Sequence, residues 1–116
     1  MARFFALLAV LGAAACESAW SVQGQVRAPE GSDSPVAGAF LTLRCPGEVD
    51  RTVRADRQGV FEMGGQGLGP SLECSVLVAA PGRAAAEIPL RDACEDPAEA
   101  AGKCSIAVLD VPLPRR

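Results

Sequence analysis

The chain has 116 residues, room for one domain and not a second. Its 11 Lys and Arg against 14 Asp and Glu give a net charge of −3, with no basic stripe beyond a solvated terminal pair, Arg115 and Arg116; nucleic acid, which is recognised through clustered cations, is not an expected partner. The absence of His removes Ser-His-Asp and Cys-His nucleophilic centres, and with them any imidazole metal ligand or proton relay.

The 49% hydrophobic content is inflated by the start of the chain. Residues 1–15 read as a cleaved signal peptide: Met1, Ala2 and Arg3 form a short positive n-region, "FFALLAVL" an apolar h-region, and residues 12–15 the small residues a signal peptidase needs. The apolar run is shorter than the roughly 20 residues that span a bilayer, so a transmembrane anchor is not expected. "LGAAAC" is similar to the bacterial lipobox, with Ala13 where Leu is commoner. The similarity implies that Cys16 is lipidated and that residues 16–21 tether the protein to a membrane. Several acyl chains at about 0.8 kcal/mol per CH₂ make such an anchor stable where one chain is marginal. Glu17 is not the Asp that marks enteric lipoproteins for the inner membrane, so the expected location is the outer membrane, facing the periplasm or the cell surface. Trp20 has two readings, at the lipid headgroups or packed over the first strand. Setting Cys16 aside leaves Cys45, Cys74, Cys94 and Cys104, an even set suited to an oxidising compartment, with three pairings open.

From residue 21 the chain runs in short alternating segments divided by turn chemistry, with no helical period. Residues 21–27 put Val22, Gly24 and Val26 on one face, and residues 29–35, "PEGSDSP", are a loop. Within residues 36–45, Ala39, Leu41, Leu43 and Cys45 share a face opposite Phe40, Thr42 and Arg44. Residues 51–63 read as two strands about a turn at "DRQG", with Phe61 and Met63 on a common face. Residues 64–70, "GGQGLGP", read as a flexible connection that lacks both the P-loop and the dinucleotide spacing. Residues 72–79 align Leu72, Cys74, Val76 and Val78. After a turn at Pro81 and Gly82, residues 84–90 form a weak strand and residues 105–113 the last. Seven strands at this spacing predict an all-β fold, a sandwich of two antiparallel sheets over residues 22–113.

"VQGQVRAPEGSDSPVAGAFLTLRC", "TVRADRQGVFEM" and "VLVAAPGR" together resemble the carboxypeptidase regulatory-like domain, a transthyretin-like β-sandwich, over about Val22 to Leu90. The shared features are the V-x-G-x-V opening strand, the P-V-A-G-A lead into the second strand, a T-x-x-D-x-x-G-x-F hairpin and an A-x-G turn. Within them Gly38 and Gly59 are candidates for positive φ, Asp56 for capping its own turn, and Phe61 for an inward anchor. The resemblance also implies a disulfide pairing. In such a sandwich the second and fifth strands are antiparallel neighbours, which sets Cys45 beside Cys74 and leaves Cys94 for Cys104. Each bridge contributes about 3 to 4 kcal/mol in the loop-entropy account.

The transthyretin-like fold hosts one enzyme group, the hydroxyisourate hydrolases, whose sites use histidines and a tyrosine-containing C-terminal motif. This chain has no His, no Tyr and ends "PLPRR", so the expectation is that it is not an enzyme. No catalytic residue, cofactor or metal is expected. Zinc is disfavoured because the cysteines lack C-x₂-C spacing. Residues 95–103 are expected to form a short loop closed by the Cys94–Cys104 bridge, and Asp92, Glu95, Asp96 and Glu99 crowd it, where calcium is the alternative to simple solvation, although the EF-hand pattern is absent. An internal Lys–Asn isopeptide bond is disfavoured by the lack of Asn and the single Lys103. Two functions remain: a non-catalytic envelope lipoprotein whose sandwich is a structural or protein-binding module, with an envelope protein as partner, or a carbohydrate- or small-ligand-binding accessory module. The second needs exposed aromatics, for which Phe40 is the candidate standing away from the membrane.

Overall fold

The computed structural model describes residues 19–116. The signal peptide expected over residues 1–15 and the lipid site expected at Cys16 lie outside the described residues.

Among the described residues eight strands form two four-stranded sheets packed face to face. The first sheet has the order β4 (Val60–Gln66), β1 (Ala19–Arg27), β8 (Lys103–Pro112), β7 (Cys94–Ala98). The second has the order β3 (Arg51–Arg54), β2 (Phe40–Arg44), β5 (Ser75–Ala79), β6 (Ala86–Pro89). The period-2 alternation of the sequence decides which face of each strand is buried. Val22, Val26, Phe61, Met63, Ala107, Leu109 and Val111 line the first sheet's inner face and Leu41, Leu43, Val76 and Val78 the second's. No polar or charged residue is buried among them, so the sandwich rests on apolar burial between its layers. Among the described residues no helix is long and apolar enough to cross a membrane.

Four expectations change. The strands number eight rather than seven, because the segment after Cys94 is not a loop. Its residues form β7, which pairs antiparallel with β8 through Asp96↔Ile106 and Ala98↔Lys103, with register shifts between. The Cys94–Cys104 bridge holds this polar segment against β8, and β7 tolerates Pro97 because it is an edge strand. Second, the sheets are not wholly antiparallel: β8 runs parallel to β1, from Ser21↔Ile106 to Arg27↔Pro112. The chain descends along β7 and turns through a 3₁₀ segment (Glu99–Ala101), so it returns in the direction of β1.

Third, β3 and β4 do not pair as a hairpin. The turn between them carries the chain from the second sheet to the first. Asp56 caps that turn as expected, its Oδ1 accepting from the backbone N–H of Gln58 at 2.8 Å and of Val60 at 3.0 Å. Gly59 lies at φ 74°, and a Cβ there would stand 2.3 Å from the Val26 carbonyl oxygen, which itself accepts from the Val36 N–H at 2.9 Å. The handover between sheets is thus made where two backbones approach too closely for any side chain. Fourth, β4 continues to Gln66, so the strand absorbs the start of the glycine-rich segment. Between β6 and β7 the chain makes one helical turn, α1 (Leu90–Ala93), where the sequence shows no helical period. Leu90 is fully buried and its N–H donates to the Cys74 carbonyl.

The terminal arginines are tied down rather than simply solvated. Arg115 pairs with Glu30 at 3.5 Å, Glu30 also pairs with Arg83, and Arg116 Nε donates to the Arg83 carbonyl at 3.3 Å. Hydrogen bonding from Arg83 holds the Glu30 carboxyl below the ordinary glutamate value, against the partial desolvation that would raise it.

Candidate functional site

At one end of the sandwich, where β1, β3, β5 and β8 begin and β2 and β4 finish, the two layers part around a cleft of about 260 Å³. Trp20 reaches it from the second position of β1, Leu43 and Cys45 from the end of β2, Arg51 from the start of β3 and Lys103 from the start of β8. The connection from Cys45 to Arg51 contributes Glu48 and Val49.

Trp20 is half-buried and packs against the core, so the packing reading of this residue describes its place in the fold. The Arg51 guanidinium lies 5.3 Å from the indole centroid, within cation–π range, and its Nη2 donates to the Gly64 carbonyl at 2.9 Å. Gly65, directly opposite Trp20 in the ladder, lacks a Cβ where one would stand 2.8 Å from the indole Nε1. The glycine-rich segment is therefore a bed shaped for the indole rather than a flexible connection.

On the other side of the Cys45–Arg51 connection lies a shallower recess of about 440 Å³ lined by Arg44, Glu48, Asp50, Glu73 and Glu87. Arg44 grips Asp50 through Nε and Nη2, the latter at 2.8 Å, and this hydrogen bonding holds the Asp50 carboxyl below the ordinary aspartate value. Arg91 pairs with Glu73 at 3.0 Å.

The cysteines form Cys45–Cys74 and Cys94–Cys104, the pairing the family resemblance implied. The first extends the β2–β5 ladder one step past Arg44↔Ser75, and the second ties β7 to β8. Both staples therefore act within a sheet rather than between sheets. The acidic residues 92–99 are spread over α1, β7 and the 3₁₀ turn, and among the described residues no three His, Cys, Asp or Glu side chains converge to hold a metal. Phe40 is 44% exposed on the outer face of the second sheet, but the Arg54 guanidinium sits 5.0 Å from its ring centroid and covers one side of the ring. Arg51 and Val49 carry no motif in the sequence, and Lys103 stands out there only as the single Lys. The available signal was Val49 itself, a lone aliphatic residue in an otherwise polar connection.

No family model matches the chain, and no curated protein matches it. Solved structures do. A 3-chlorocatechol 1,2-dioxygenase from Rhodococcus opacus 1CP aligns with a TM-score of 0.61 at 11% identity, over 86% of this chain and 61% of that one. A hydroxyquinol 1,2-dioxygenase from Pseudomonas putida DLL-E4 aligns with a TM-score of 0.56 at 13% identity, over 86% of this chain and 57% of that one. The chain thus spans about three fifths of the length of either structure, and at these identities the likeness is one of fold. It corrects the expectation that the chain is not an enzyme: both similar proteins are dioxygenases by name, so this sandwich is a fold that enzymes use. The missing His and Tyr argue against hydroxyisourate hydrolysis and do not exclude catalysis as a class.

Proposed function

We propose that the chain is a lipoprotein of a bacterial envelope, held to its membrane by lipid on Cys16, whose sandwich is a protein-binding or structural module of the carboxypeptidase regulatory-like, transthyretin-like kind. The observation that carries this reading is the cysteine account. Two bridges consume the four cysteines of the sandwich, which fits an oxidising compartment and leaves Cys16 as the odd cysteine of the sequence, at the end of its apolar leader. The family assignment is supported by the motif residues in place: Asp56 caps its turn, Gly59 takes a positive φ and Phe61 is an inward anchor. Protein binding is supported by the outer face of the first sheet. Val60, Ile106 and Val108 are each 40% exposed or more there and stand across β1 from one another, among Ser21, Gln23 and Gln25. Exposed apolar surface gathered on one face and rimmed by polar residues is the kind that marks contact sites.

Fractionation of cells tests the anchor. The wild-type chain is expected in the membrane pellet, released only by detergent, and Cys16→Ser in the soluble periplasmic fraction; equal membrane retention of both overturns it. Cross-linking in intact cells tests the module. A discrete adduct that Ile106→Asp with Val108→Asp abolishes is the expected result, and an adduct unaffected by both changes moves the contact elsewhere.

A further inference from the structure

The end of the sandwich that opens into the cleft is also the end at which the chain enters. β1 begins at Ala19, so three peptide links separate it from Cys16, a reach of about 11 Å at full extension. At this same end Val49, which lines the cleft with the half-buried Trp20, is 93% exposed, and Leu68, one residue before Gly69 of that lining, is 46% exposed. Two cations, Arg51 and Lys103, also line the cleft. The carboxylates at this end are Glu48 on the rim, Asp50 and Glu73, paired with Arg44 and Arg91, Glu87 in the adjoining recess, and Glu99 in the turn that leads into Lys103.

We propose that this end, Val49, Leu68 and Trp20 with Arg51 and Lys103, docks onto the phospholipid surface that holds the anchor. The inference rests on the reading of Cys16 as a membrane attachment point, and it adds an orientation and a contact surface. The tether supplies the first argument. With Cys16 at the headgroups and at most about 11 Å of chain to Ala19, the gap beneath this end is no wider than one α-helix of about 10 Å diameter. A folded protein partner does not fit there; the bilayer does. Chemistry supplies the second. Aliphatic side chains at two loop tips enter the interfacial region, an indole is favoured at headgroup depth, and Lys103, with the exposed Arg51 that also holds Trp20 and the Gly64 carbonyl, meets lipid phosphates. Docking sets the strands at a steep angle to the membrane and turns the Val60, Ile106 and Val108 face sideways, free for a partner.

Trp20 is the only tryptophan of the chain, so its fluorescence reports on this end alone. The full chain, expressed in a Gram-negative host and purified, is placed on vesicles of phosphatidylethanolamine and phosphatidylglycerol with brominated or ordinary acyl chains. Intact mass shows whether Cys16 carries lipid. If it carries none, the Cys16 thiol is coupled to a maleimide lipid in the same vesicles, so that failure of the anchor does not silence the docking test. The expected result is an emission clearly weaker on brominated vesicles than on ordinary ones, because an indole at the interface lies within reach of the acyl-chain bromines. Val49→Asp with Leu68→Asp, both exposed and checked for an unchanged melting temperature, is expected to abolish the difference while the protein stays on the vesicles. Equal emission from vesicle-bound wild type on the two lipids overturns the proposal, as does quenching that the double variant leaves intact.

Discussion

Replacing Gly59 by Ala isolates the backbone approach that links the two sheets. Gly59 and Gly82 share a φ of 74°, so Ala at either position pays the same left-handed penalty, about 1 kcal/mol. They differ in surroundings. Nothing lies within 4 Å of a Cβ built on Gly82, whereas one built on Gly59 stands 2.3 Å from the Val26 carbonyl oxygen and 3.2 Å from the Val36 nitrogen. Relief requires a shift of roughly 1 Å between segments joined by Val26 N–H to Gly59 O at 2.8 Å and Val36 N–H to Val26 O at 2.9 Å. Losing one or both of these buried hydrogen bonds costs about 1 to 3 kcal/mol each. Gly59→Ala is therefore expected to destabilise by about 2 to 4 kcal/mol more than Gly82→Ala, or on the order of 10 to 20 °C in Tm for a domain of this size. Gly59→Val is expected to be worse, because a β-branched residue is a sharper outlier at positive φ. Thermal and urea unfolding under oxidising conditions measure the difference. Equal stability of the two Ala variants would refute the close-approach account of the turn.

In the loop-entropy account, removing the bridge of 29-residue separation by Cys45→Ala with Cys74→Ala costs about 3.6 kcal/mol, and removing the 10-residue bridge by Cys94→Ala with Cys104→Ala about 2.7 kcal/mol; urea titrations that reverse this order would show that native-state contacts outweigh the chain entropy. The Glu30 carboxyl is held below its ordinary value by Arg83, so its contribution is present above the unfolded-state value and is lost as pH falls through the folded one. The melting difference between wild type and Glu30→Gln should therefore shrink below about pH 4.3, and a gap that stays constant down to strongly acidic pH would contradict the pairing. Gly65→Leu drives a side chain into the space of the indole, with a red-shifted Trp20 emission expected in the detergent-solubilised protein; unchanged emission would mean that the indole does not rest on Gly65.

Much of the fold was legible because half-buried strands write their faces into the sequence. The runs Ala39, Leu41, Leu43, Cys45 and Leu72, Cys74, Val76, Val78 alternate cleanly, and all eight residues are buried. β7 was not legible. "CEDPA" has neither alternation nor β-propensity, and it is a strand because a bridge and the free edge of β8 hold it there. The Asp56 turn was read correctly as local chemistry, yet a turn does not state whether the strands on either side of it pair, and here they join different sheets. The parallel β1–β8 pair was hidden for a related reason, since partners 85 residues apart leave no local mark. The cleft escaped notice because Trp20, Arg51 and Lys103 meet only through the packing of the two sheets. The enzyme question shows a different limit. Missing residues argue against the chemistry that needs them, and a fold shared with two dioxygenases keeps the wider class open.

The measurement that bears most directly on the account is the intact mass of the purified chain, wild type against Cys16→Ser. A mature wild-type protein beginning at Cys16 and heavier than its polypeptide by a diacylglycerol and an acyl chain, with a serine variant that lacks the addition, is the predicted result. A wild-type chain whose mass equals that of the bare polypeptide with two disulfides would contradict it.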